Sequence, residues 1–206
     1  MRPKENMKID FYPCFQYLNN FNNIYFYSDP HFNDETANEF RKDYIGDEEQ
    51  VKRINSKIGK KDVLFILGDV GDISFIEKIR GYKILITGNH DKGKTTYLKS
   101  EEHPKLFDEV YDGVVTLNEK LLLSHEPVFL PFIFNIHGHD HSHSKIDEFH
   151  LNVSAEHIDY LPVSLRELIT KGAFKNIESI HRLAIDRAIE RKENKIDFIV
   201  LENEKV

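Results

Sequence analysis

The amino-acid sequence predicts an α/β fold, and three observations lead there. Short runs rich in β-branched and aromatic residues recur, nearly continuous in apolar character, as strands buried on both faces are. Segments with helical spacing lie between several of them, the alternation that defines this class. No internal repeat, low-complexity tract or Pro/Gly/Ser linker divides the 206 residues, so a single domain over 1–206 is expected, long enough for a substantial core.

Residues 1–23, rich in Tyr, Phe and Asn, read as an N-terminal extension that adds an edge strand or covers an apolar surface, with Met7 as an alternative start. The first full strand is "IYFYS" (Ile24 to Ser28). Asp47 is placed to N-cap a helix that carries Val51, Ile54 and Ile58 on one face, with Gly59 just past its end. "VLFIL" (Val63 to Leu67) follows as a strand, then "SFIE" (Ser74 to Glu77) as a capping box for a short helix that Gly81 stops. Further strands are "KILIT" (Lys83 to Thr87), "KLLLS" (Lys120 to Ser124), "FIFNI" (Phe132 to Ile136) and "FHLNVS" (Phe149 to Ser154). Hairpin-like spacing after residue 110 implies that the sheet is not parallel throughout. "SLRE" (Ser164 to Glu167) is a second capping box, ended by Gly172, and Ile177, Ile180, Ala184 and Ala188 give helical spacing from Asn176 to about Lys192. A last strand, "IDFIVL", completes a C-terminal part running from 155 to 206.

Composition narrows the function. A formal charge of −7 gives no bulk attraction to nucleic acid or to an anionic membrane, so an anionic substrate needs a local positive source, and a bound metal is one. The lone cysteine, Cys14, forms no internal disulfide and implies a reduced, cytoplasmic setting. "MRPKENMKIDFYPCF" lacks the apolar core of a signal peptide, and "VFLPFIF" falls far short of the ~20 residues of a membrane span, so no membrane partner is expected.

Five of the strands stop at a residue suited to bind metal. "IYFYS" leads to Asp29 and His31, "VLFIL" to Asp69 and Asp72, and "KILIT" to Asn89, His90 and Asp91. "KLLLS" leads to His125, and "FIFNI" to His139 and His141. In open α/β sheets functional groups gather beyond the C-terminal ends of the strands, so these residues belong to one site. Any one of them alone reads as a turn former or cap. Together, without a cation, they would bury unpaired polar groups at several kcal/mol. Imidazole, carboxylate and amide oxygen without thiolate suit Mn, Fe or Zn better than Ca or Mg. The ligands are too many for one ion, and two ions ~3.5–4 Å apart bridged by a carboxylate is the arrangement used for displacement at phosphorus.

The stretches "DPH" (Asp29 to His31), "GDVGD" (Gly68 to Asp72), "GNHD" (Gly88 to Asp91), His125 and "GHDH" (Gly138 to His141) occur in that order. They resemble the full pattern of the calcineurin-like metallophosphoesterases, DxH, GDxxD, GNH[DE], H and GHxH, over residues 24–154. "SDPHF" and "NVSAEHIDYLPVSL" are further similar to small prokaryotic and phage members. The resemblance implies a four-layer α/β/β/α sandwich and two divalent metal ions, manganese first, with Fe, Zn or Ni as alternatives. It places Asp29, His31 and His141 on one ion and Asn89, His125 and His139 on the other, with Asp69 bridging. His90 faces the substrate and Asp72 orients it. The activity implied is hydrolysis of a phosphomonoester or phosphodiester by in-line attack of a metal-bridging hydroxide, with His90 stabilising the transition state or protonating the leaving oxygen.

The chain departs from many of these relatives at Asn33-Asp34, where they continue with Gly-His. His137 and His143 fall outside the ligand positions; His137 reads as a strand-end residue with a structural hydrogen bond and His143 as a loop residue. His150 and His157 read as structural, and His103 and His181 as surface residues. Three rivals remain. A nuclease of the same fold needs nucleic acid as partner, which the acidic balance disfavours. A binding scaffold would lack ligands or His90, yet every position is filled. A P-loop triphosphatase is suggested by "GNHDKGKT" (Gly88 to Thr95). That last reading leaves the other motifs unexplained, and Pro104 comes too soon for the long helix it needs. Lys92 and Lys94 then bring positive charge to the pocket rim.

Overall fold

The structure, a computed structural model, describes residues 11–14, 16, 23–39, 41, 43–91, 106–177 and 180–192. It is α/β, with two five-stranded sheets and few helices. In one sheet β2 (Ile24–Tyr27), β3 (Val63–Ile66), β4 (Tyr82–Ile86) and β5 (Glu109–Tyr111) run parallel, and β10 (Val163–Ser164) pairs antiparallel with β2. The other is ordered β1 (Phe11–Pro13), β6 (Val114–Asn118), β7 (Leu121–Leu123), β8 (Phe134–His137) and β9 (His150–Asn152). Its β6–β7 pair is the antiparallel hairpin expected after residue 110, and its other pairs are parallel. β1 is an edge strand from the N-terminal extension.

Alternation along β3 explains the packing. Val63 and Phe65 join Ile24, Phe26, Ile84 and Ile86 against Val115, Leu123, Phe134 and Ile136 of the other sheet, forming the core between the sheets. Leu64 and Ile66 point the opposite way, into a cluster with Val51 and Ile54 of helix α2 (Asp47–Lys57) and Ile58, its C-cap. All four β3 side chains are therefore buried, which is why the run is apolar without interruption.

Three local expectations are corrected. Gly46, not Asp47, is the N-cap of α2; the Asp47 carboxylate instead accepts from Asn33 N and Tyr44 OH. "SFIE" is not a capping box: Ile73–Lys78 is a 3-10 turn, because Asp72, one position before it, accepts from Ser74 N and imposes its own cap. Asn176 and Ile177 lie outside helix α4 (Ile180–Lys192): the chain turns through 171–176, and Ile177 is buried between the sheets with its carbonyl held by Lys120. The box at Ser164 and Glu167 does open α3 (Leu165–Thr170). Helix α1 (Glu35–Glu39) follows β2. The expected strand "IDFIVL", Lys92, Lys94, His103 and Pro104 lie outside the described residues. No helix among the described residues is long and apolar enough to cross a membrane.

At their C-terminal ends the two sheets are joined: Ser28 N donates to Val153 O, and Ala155 N to Ser28 O, in a bridge between Ser28 and Ser154. The loops leaving β2, β3, β4, β7 and β8 thus open at one edge.

Candidate metal centre

The sheet edge brings the sequence-selected residues together. Asp29, His31 and His141 form one group of potential metal ligands and Asp69, His125 and His139 a second, the ligand atoms of each lying within 4.8 Å of one another. Asn89 joins the second group, its Oδ1 2.8 Å from His125 Nε2 and 3.1 Å from His139 Nδ1.

Each aspartate has one oxygen held and one offered. Asp29 Oδ2 accepts from His139 N at 2.9 Å and from Ser154 Oγ at 3.0 Å, while the buried Oδ1 has no hydrogen-bond partner and lies 3.6 Å from His141 Nε2. Asp69 Oδ1 accepts from His90 N at 2.9 Å. Its Oδ2 stands 3.7 Å from His31 Nε2 and 3.4 Å from His125 Nε2, so one oxygen faces both groups.

The histidines are backed from behind. His125 Nδ1 lies 2.7 Å from Leu67 O, His31 Nδ1 3.3 Å from Asp34 Oδ2 and His141 Nδ1 2.5 Å from Glu156 Oε1. These oxygens accept, so in the neutral imidazole the proton sits on Nδ1 and Nε2 turns to the site, a common backing for metal-bound imidazole. His139 instead presents Nδ1. Burial would lower His125 and raise Asp69, but their mutual hydrogen bond prevails, lifting His125 to about 9 and holding Asp69 at about 2. His31 is pushed down by burial and by the Arg41 charge, while Glu156 lifts His141. Glu156 lies below its ordinary value because His141 and Arg41 outweigh its burial.

Two cations fit this donor set. Asp29 Oδ1 and His31 Nε2 are buried without a hydrogen-bond partner, 3.9 Å apart, an uncompensated state that a positive ion between them relieves. Asp29, His31, Asp69 and His139 all adopt the left-handed backbone at φ of 53°, 43°, 51° and 68°, strain of the kind that persists where function requires it. A Cβ on Gly138 would come within 2.0 Å of Ser28 Oγ and 2.2 Å of Asp29 Oδ2, so only glycine lets the β8 loop approach Asp29 this closely.

His90 is exposed and lines a cleft of about 410 Å3 together with His31, Asp34, Asp69, His139 and His141. Its ring sits edge-on to His31, centroids 5.8 Å apart. Asp72 accepts from Ser74 N and, at 3.5 Å, from Asn33 Nδ2. Asp91 acts as a cap, accepting from Asp69 N, Val70 N and Gly88 N, which ties the β3 loop to the β4 loop; burial raises its carboxyl. His137 is buried with Nδ1 2.9 Å from Gly138 O, and His143 is exposed beside Asp140. His150 contacts Asp147 and Val128 O, and His157 contacts Asp140 O.

Sequence reasoning missed Arg41, Asp34 and Glu156. Arg41 is largely buried yet lines the same cleft, with Nη1 on Pro30 O at 3.0 Å and Nη2 on Asp29 O. A buried arginine has no local pattern to announce it. Glu156, in the 3-10 turn Ala155–Ile158, stood within the family-like stretch after Asn152 and was the one available clue.

Comparison with protein-family models and with curated proteins finds no match. The chain is similar to a solved structure of a protein of unknown function from Aquifex aeolicus, with a TM-score of 0.56 and 27% identity over 72% of this chain and 98% of that one.

Proposed function

We propose that this protein is a dinuclear metal-dependent phosphoesterase of the calcineurin-like type, with the four-layer sandwich that type implies. One observation carries the reading: Asp69 Oδ2 faces His31 Nε2 at 3.7 Å and His125 Nε2 at 3.4 Å, a single carboxylate oxygen shared by two ligand groups. Asp29, His31 and His141 hold one ion, Asn89, His125 and His139 the other, and Asp69 serves both. When bound, the ions supply Lewis-acid charge to the phosphoryl oxygens and acidify water to a nucleophile near neutral pH. Manganese suits these ligands first, with Fe, Zn or Ni as alternatives.

The chain supplies the rest. His139 N, His90 N and Ser154 Oγ fix the two aspartates, so the site is preorganised by backbone and hydroxyl donors. His90, at the cleft rim, gives a proton to the leaving oxygen, a role worth about 10²–10⁴-fold. Asp72 is its orienting carboxylate. A cleft of about 410 Å3 suits a small phosphomonoester or phosphodiester better than a long nucleic acid. The single, buried Cys14 accords with a reducing, cytoplasmic setting.

The test is chelation followed by re-addition of Mn, Fe, Zn or Ni, with metal content and hydrolysis of aryl phosphate mono- and diesters measured together. Two ions per chain and metal-restored turnover are expected. Binding at 100 times Kd also adds about 2.7 kcal/mol, raising Tm by roughly 5–11 °C. Failure of every metal to restore turnover on either ester class defeats the proposal.

A further inference from the structure

The two ligand groups differ in what stands behind them. Glu156 Oε1 lies 2.5 Å from His141 Nδ1, and an ionised carboxylate only accepts, so in the neutral imidazole the proton sits on Nδ1 and Nε2 is the lone-pair nitrogen that faces Asp29 Oδ1. Glu156 Oε2 lies 3.7 Å from Arg41 Nε, in a pair whose side chains are only 10% and 2% exposed. Arg41 cannot swing away, because its other nitrogens donate to Pro30 O and Asp29 O. One guanidinium is therefore hydrogen-bonded to the backbone of Asp29 and paired, by charge alone and not by a hydrogen bond, with the carboxylate behind His141. In the second group His125 is backed by a neutral carbonyl, Leu67 O, at 2.7 Å.

Resting on the two-ion reading, we infer that Glu156, held by Arg41, is a positioning residue for His141 and sets the affinity of the ion site of Asp29, His31 and His141, leaving that of Asn89, His125 and His139 untouched. A carboxylate behind an imidazole fixes its tautomer and raises its basicity, and losing such a partner lowers metal affinity about 10–100-fold. The asymmetry makes the two sites separable by a single substitution outside both ligand sets.

Calorimetric titration with MnCl2 of metal-free wild type, Glu156→Ala and Glu156→Gln tests this, with His141→Ala marking which binding event belongs to which site. The ring nitrogens of His141, followed by NMR, report its tautomer. In Glu156→Ala the event lost in His141→Ala weakens about 10–100-fold, the other event keeps its affinity, and His141 loses its single tautomer. Glu156→Gln, whose amide oxygen still accepts from Nδ1, keeps the tautomer and loses less affinity. If Glu156→Ala fails to fold, a selective loss at one event in Glu156→Gln decides in favour. Unchanged affinities, or equal weakening at both events, overturn the inference while leaving the two-ion reading intact. Wild type that takes up no Mn2+ overturns both.

Discussion

Asp69 and His125 lie buried side by side, Oδ2 to Nε2 at 3.4 Å, and the same Asp69 oxygen faces His31 Nε2 at 3.7 Å. Neutralising that oxygen removes charge from both ligand groups at once. Asp69→Asn keeps the size of the side chain and an acceptor for His90 N. It is expected to weaken Mn2+ binding at both sites by at least about 100-fold, beyond the loss of an outer partner. Retention of one tight site in a metal titration contradicts the bridging role.

His90 makes its structural contact through the backbone: its N–H, not its ring, holds Asp69. His90→Ala should therefore leave Mn2+ affinity as it is and lower kcat by about 10²–10⁴-fold. Parallel loss of metal in a titration of the variant would make the ring a structural element instead.

Gly138→Ala places a methyl group 2.2 Å from Asp29 Oδ2 and 2.0 Å from Ser28 Oγ. Relief requires the β8 loop and Asp29 to part. The expected destabilisation is about 1–3 kcal/mol, read as a Tm lower by roughly 2–4 °C per kcal/mol. Metal-restored hydrolysis should fall with it. A thermal melt matching wild type would show that the loop yields without strain.

The capping box of α3 supplies a pH prediction. Glu167 lies below its ordinary 4.5 chiefly because Ser164 N donates to it, aided by Lys57 at 3.1 Å. A depressed carboxylate contributes stability that is present above about pH 4.5 and lost as pH falls through the folded value. Its side chain is 42% exposed, so solvent screening keeps the contribution below about 1 kcal/mol. The stability gap between wild type and Glu167→Gln, from urea unfolding, should be wider at pH 7 than at pH 3. An equal gap at both removes the ionic part of the cap.

Much of the fold was legible locally. β3 could be read from five letters because both its faces are buried and each residue must be apolar. β5 and β6 passed unmarked: Glu109–Tyr111 is a three-residue edge strand with only its middle residue buried, and the half-buried Thr116 and exposed Asn118 break the apolar run of β6. Caps were legible where competitors were absent, as at Ser164. They were misread where a second acceptor lay two residues away, as Asp72 precedes Ser74.

The sequence by itself determined the donor types at the candidate site: aspartates, histidines and an asparagine each placed just past an apolar run, whatever the register of the strands. Only the tertiary structure decided which atom of each is free. That Asp29 Oδ2 is spent on His139 N and Oδ1 is left bare, and that Arg41 and Glu156 meet behind His141, depends on the Ser28–Ser154 bridge joining two sheets. Residue type is a local property, but the partner of each lone pair is set by strand register across more than a hundred positions, and no short window of sequence contains it.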